Sequence, residues 1–108
     1  MKKIAVIAFG MLLFILPTKA QTLESQYGLD SANTILNASL YTEYWKQKNY
    51  EEALSSWRYV FLNAPAFQLN TYIRGEDIIE YMIQKTKKKE YVDTLMMLFD
   101  RRLQYMAK

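Results

Sequence analysis

At 108 residues the chain has room for one small domain. It contains no histidine and no cysteine. That removes the commonest general base, the commonest neutral metal ligand and any disulfide staple, so packing alone must hold the fold and no enzyme is expected. The formal charge of +3 rests on Lys2, Lys3 and Lys19, without which the basic residues equal the 11 acidic ones. The basic balance therefore implies no nucleic-acid footprint.

Residues 1–20 carry the three-part pattern of a secretory signal peptide. Lys2 and Lys3 give a basic start, Ile4–Leu16 is apolar apart from Gly10, and Thr18 and Ala20 are the small residues flanking a cleavage point after Ala20. A retained membrane anchor is the competing reading. An apolar helix of that length covers roughly 20 Å, short of the ~30 Å hydrocarbon core. No cysteine is present for lipidation. Export with removal of the segment is the expectation.

Residues 21–30 are polar, broken at Gly28, and read as a short tether. Asp30 or Ser31 can cap a first helix, because the first turn leaves amide groups that a side-chain oxygen can satisfy. The spacing predicts that helix to about Gln47, with Leu36, Leu40 and Tyr44, and Tyr41 and Trp45 beside them, as its apolar stripe. Lys48-Asn49 is the turn. A second helix is predicted from Tyr50 to about Asn63, with Glu51 and Glu52 where the helix dipole favours acids. Its apolar face is Ala53, Leu54, Trp57, Val60 and Phe61. Pro65 cannot continue it and disfavours helical geometry at Ala64. Residues 31–67 thus form a helical hairpin. A third helix is predicted from a cap at Asn70 to about Lys85, burying Ile73, Ile78, Ile79, Met82 and Ile83. After a basic turn, a fourth is predicted from about Tyr91 to Met106, with Val92, Leu95, Met96, Leu98, Phe99, Leu103 and Met106 as its apolar set. Residues 68–108 then make a second, degenerate pair. Strand alternation is absent, and the expected fold is all-α.

The stretch from Thr34 to Phe67 resembles a tetratricopeptide repeat, a helix–turn–helix unit of about 34 residues. Asn37, Leu40, Tyr41 and Tyr44 stand at the pattern positions of the first helix, and Ala53, Trp57, Val60 and Pro65 at those of the second. Asn49-Tyr50-Glu51-Glu52-Ala53 is the phrase most like the family. In the following unit Gly75 and Ile78 stand at the small and large positions, after which the lysine-rich turn breaks register. The resemblance implies a short right-handed solenoid in which Ala53 sits where the helices cross, Leu40, Tyr44 and Trp57 fill the gap between them, and Pro65 lets the next unit stack. With the signal segment, YIRGEDIIEYMIQ and YVDTLMMLFDRR, the chain looks like the N-terminal part of longer exported tetratricopeptide proteins of Gram-negative bacteria. That implies a periplasmic or outer-membrane-associated location and a protein or peptide partner. It also implies a concave groove on the face of Ile35, Ala38, Thr42 and Trp45 in the first helix and Tyr72, Glu76 and Ile79 in the third. Three or more repeats are normally needed for a stable array. The apolar end Leu103–Lys108 therefore implies a chain truncated from a longer one (the leading expectation), a fourth helix packed back as a cap, or burial by a second copy.

Each pointed reading has a plainer one beside it. Trp45 and Tyr72 serve a groove, or they are core, as aromatic stripes at helical spacing mostly are. Lys85, Lys87, Lys88 and Lys89 bind an anionic surface, or they form a solvated turn with helix-end lysines favoured by the dipole. Glu76, Asp77 and Glu80 form a working acidic pair, or an ordinary wet face. Met96 and Met97 make an adaptable surface, or fill a core. The expected function is an exported scaffold that binds a protein or peptide partner without cofactor, metal or catalysis. The alternative is a small helical domain that self-associates through its final helix in an envelope complex.

Overall fold

Asp30 opens the first helix by accepting a hydrogen bond from the backbone N–H of Asn33 at 3.2 Å, and a second from the Asn33 side chain at 2.7 Å. The computed structural model describes residues 26–107 as four helices: α1 Ser31–Lys46, α2 Tyr50–Asn63, α3 Asn70–Thr86 and α4 Lys89–Met106. No strand occurs among the described residues. The signal-peptide reading of residues 1–20 lies outside them. Of the expected tether, residues 26–30 are described, and they pack on the body. The Gln26 amide donates to the Phe67 carbonyl at 3.1 Å, the Tyr27 and Phe67 rings are 5.3 Å apart, and Gly28, at φ +83°, lies against the Asn63 carbonyl.

Short turns join α1 to α2 and α3 to α4, so each pair is a helical hairpin. Lys48 and Lys87 provide the left-handed residue in these turns, at φ 60° and 61°, where glycine is the usual choice. Successive helices pack in order, α1 on α2, α2 on α3 and α3 on α4, with a smaller contact of α1 on α3. Three helices thus share a core and α4 covers only one side of it. The boundaries shift slightly from expectation. Leu69, not Asn70, occupies the cap position of α3 without a side-chain cap, and α4 begins two residues early at Lys89.

Several faces differ from the sequence reading. In α1 the buried residues are Thr34, Ala38 and Tyr41. Leu36 and Leu40 face solvent and Tyr44 is half-buried, so Leu40 does not fill the gap between helices. The register of α1 stands one turn earlier than the pattern placed it, because α1 turns its small residue, Ala38, and not its leucines, to the core. Thr71, Gly75 and Ile78 repeat that spacing in α3, each 37 positions after its counterpart. In α2, Ala53, Trp57, Val60 and Phe61 are buried and Leu54 half-buried. Of the side of α3 predicted to be buried, Ile73 is exposed and Ile83 half-buried, and Tyr72 takes a core place instead. In α4 only Tyr91 and Leu98 are buried. Val92, Met96, Phe99 and Leu103 are exposed, and among the described helices α4 packs chiefly on α3.

Trp57 sits at the centre. Its ring stacks on Phe61 with centroids 4.7 Å apart, and its indole N–H donates to the Thr71 carbonyl at 2.7 Å. The ring packs closely against the backbone of α3 at Gly75. A Cβ built there would stand 2.5 Å from Trp57 Cε2 and Cζ2. Phe61 in turn meets Tyr72 edge-on at 6.0 Å, and the Tyr72 hydroxyl donates to the Pro65 carbonyl at 2.5 Å. Burial pushes the Tyr72 phenol up to about 12, so it keeps its proton for that bond. Arg101 of α4 lies 5.0 Å over the Phe61 ring and donates to the Phe61 carbonyl at 3.3 Å. That carbonyl is in the last turn of α2, where backbone acceptors lack helical partners and positive charge is favoured.

Gly75→Ala separates two opposed effects. Alanine improves helix propensity by about 1 kcal/mol, yet its methyl has no room beneath Trp57. We expect net destabilisation of about 1–3 kcal/mol from overpacking, read by thermal or urea melting. A variant as stable as the parent would show that α3 does not lie on the indole.

Candidate functional site

A cleft of about 630 Å³ crosses the outer face of α3, lined by Tyr50, Asp77, Glu80, Tyr81, Ile83, Gln84 and Leu95. One wall is Tyr50, the first residue of α2, tilted against Tyr81 with ring centroids 5.6 Å apart. The other is Ile83 with Leu95 of α4. Between them lie Asp77, Glu80 and Gln84, which the helical repeat brings to one side of α3. Glu76 is close by. Lys85 pairs with Glu51 near the same end of α3.

The acids of this face are unequal. Asp77 accepts the Trp45 indole N–H at 2.8 Å, which ties it to α1. Glu80 has no such partner. Loss of solvent, then the charges of Glu76 and Asp77 together with a hydrogen bond to Glu76, raise its pKa above the ordinary carboxylate value. The cleft floor is therefore negative and would favour a cationic group. Among the described residues no group of three or more acidic side chains converges as metal ligands do.

The residues expected to form a concave groove fall elsewhere. Ala38, Tyr72 and Ile79 are core residues and cannot meet a partner. Tyr72 and Ile79 are enclosed because α3 is packed on more than one side, which a single helix pattern does not reveal. Ile35 is exposed, while Thr42, Trp45 and Glu76 are half-buried. Thr42 and Trp45 are joined by Arg74, whose guanidinium lies 4.7 Å over the Trp45 ring and donates to Thr42 Oγ1 at 2.9 Å. Trp45 is thus clamped between Arg74 and Asp77 as the link from α1 to α3, and is no free aromatic anchor. Of the structural positions, Ala53, Trp57 and Val60 are buried and α2 ends at Asn63 ahead of Pro65, whereas Tyr44 is half-buried and Leu40 exposed. The basic turn is largely engaged, with Lys85 held by Glu51, Lys89 by Asp93 at 3.1 Å and Lys87 near Gln84 at 3.4 Å. None of the residues expected in the groove lines the cleft. Asp77 and Glu80 were visible as an acidic patch, but nothing local marks Tyr50 and Leu95 as its walls.

Compared with family models, curated proteins and solved structures, the chain matches none.

Glu80→Gln should raise stability at neutral pH. A carboxyl with a raised folded-state pKa binds more protons folded than unfolded, so its folded state loses stability as pH rises through that interval. The neutral amide escapes this loss. We expect the variant's melting temperature to exceed the parent's at pH 7 and the difference to vanish below the ordinary glutamate range. An unchanged difference at both pH values would remove the electrostatic account.

Proposed function

We propose that this chain is a non-catalytic helical scaffold of tetratricopeptide type that holds a protein or peptide partner in the cleft across α3. The observation that carries the reading is the cleft itself: apolar and aromatic walls of Tyr50, Tyr81, Ile83 and Leu95 beside the acidic Asp77 and Glu80. Pockets of this kind combine hydrophobic area with a few orienting polar groups. Tyr50 and Tyr81 supply rigid surface at low entropic expense. Asp77 and Glu80 favour a lysine or arginine of the partner, and Ile83 and Leu95 favour an adjacent aliphatic side chain.

Peptide-display selection against the chain tests this. Enriched peptides should carry a basic residue beside an apolar one. Their affinity should drop about tenfold or more in Tyr81→Ala or Asp77→Asn, given about 1.4 kcal/mol per decade. No enriched motif, or peptides indifferent to both substitutions, would count against a binding cleft.

Export follows from the signal pattern at residues 1–20. When the gene product is made in a Gram-negative host, the mature chain should begin at Gln21 by mass spectrometry and fractionate with the envelope. A cytoplasmic product that retains Met1 would refute it.

A further inference from the structure

Of the nine tyrosines, Tyr50 and Tyr81 are the pair that meet ring to ring, with centroids 5.6 Å apart and planes tilted by 55°. Tyr27 packs on Phe67 and Tyr72 on Phe61, and neither partner carries a phenol. Tyr41, Tyr72 and Tyr91 are buried. Tyr81 is 39% exposed and Tyr50 half-buried, and both line the cleft, so the pair is open to an oxidant from solution. The two rings belong to different helices, α2 and α3. An ion pair holds those helices at the same level, between Glu51, which follows Tyr50, and Lys85, one turn beyond Tyr81.

We propose that this pair is a modification site, at which a one-electron oxidant joins the two rings as dityrosine and so staples α2 to α3 covalently. A haem peroxidase with hydrogen peroxide is such an oxidant. It takes one electron and one proton from each phenol, leaving two phenoxyl radicals. Their unpaired electrons form a new carbon–carbon bond between ring positions ortho to the oxygens. The hydrogen on each of those carbons then moves to the neighbouring oxygen, which restores both aromatic rings and both hydroxyls. Hydrogen peroxide gains the two electrons and two protons and becomes two waters, so the chain loses two hydrogen atoms in all. Proximity decides where coupling occurs. Rings held in contact react within one molecule, whereas a radical on a tyrosine without such a neighbour must meet a second chain. The chain has no cysteine for a disulfide, and a link between residues 50 and 81 constrains the unfolded chain as a disulfide would. The inference needs no partner in the cleft and stands whether or not a peptide binds there.

The test treats the dilute, purified full chain with peroxidase and hydrogen peroxide. Dityrosine fluorescence should appear in a product that runs as a single chain on a denaturing gel and has lost two hydrogen atoms by intact-mass spectrometry. Tryptic mapping should join the peptide of residues 49–58 to that of residues 75–85. Tyr50→Phe and Tyr81→Phe each keep a ring for packing, so the helical signal in circular dichroism should hold while the intramolecular product disappears. Fluorescence confined to covalent dimers would overturn the proposal, as would a bridge between other peptides. A bridge that persists in either phenylalanine variant, or oxidation of other tyrosines with no bridge formed, would overturn it too.

Discussion

The fold depends on one contact, the indole of Trp57 lying on bare backbone at Gly75. Trp57 has a buried ring on α2, and α3 can come close enough to cover it only because Gly75 has no side chain. Truncating a buried tryptophan typically costs about 3–5 kcal/mol, a large share of a small domain's stability. A polar indole N–H also has to be satisfied when it is buried. The Thr71 carbonyl, one turn before Gly75, does so. The close approach and the hydrogen bond therefore require each other.

Much of the remaining architecture follows. With α3 held at Trp57, Tyr72 reaches Phe61 and Pro65, and Arg74 reaches Trp45 and Thr42. The α1–α3 contact is then polar and aromatic, and apolar leucines of α1 are left outside it. Arg101 closes the far end of α2 by stacking on Phe61 and supplying its carbonyl with a donor. Among the described helices this arrangement places α2 between α1 and α3 and packs α4 chiefly on α3. Val92, Met96, Phe99 and Leu103 of α4 stay exposed.

The acidic cleft has the same origin. Asp77 and Glu80 lie on one side of α3, and packing of α2 and α4 on its flanks raises walls around them. Trp45 neutralises part of the demand by donating to Asp77, while Glu80 is left among like charges. Side-chain placement that serves the core thus also concentrates negative potential in a groove. Two nearby lysines are engaged elsewhere, Lys85 with Glu51 and Lys89 with Asp93.

The sequence by itself determined that the described chain is helical, where its turns fall, and which face of α2 is buried. Those features are local: Pro65 ends a helix, Asp30 caps one, and Ala53, Trp57, Val60 and Phe61 recur at a period that only one helix face can satisfy. Glycine at position 75 was also legible as a small position. Which face of α1 turns inward was not, because Leu36 and Leu40 compete with Thr34, Ala38 and Tyr41 for the same role. Hydrophobicity favours the leucines, and the close approach of helices favours the small residue. Only the tertiary structure decided for Ala38 and put Tyr72 and Ile79 in the core instead of a groove. It alone assembled the cleft from Tyr50, Tyr81 and Leu95, since those residues lie on three helices and become neighbours through packing.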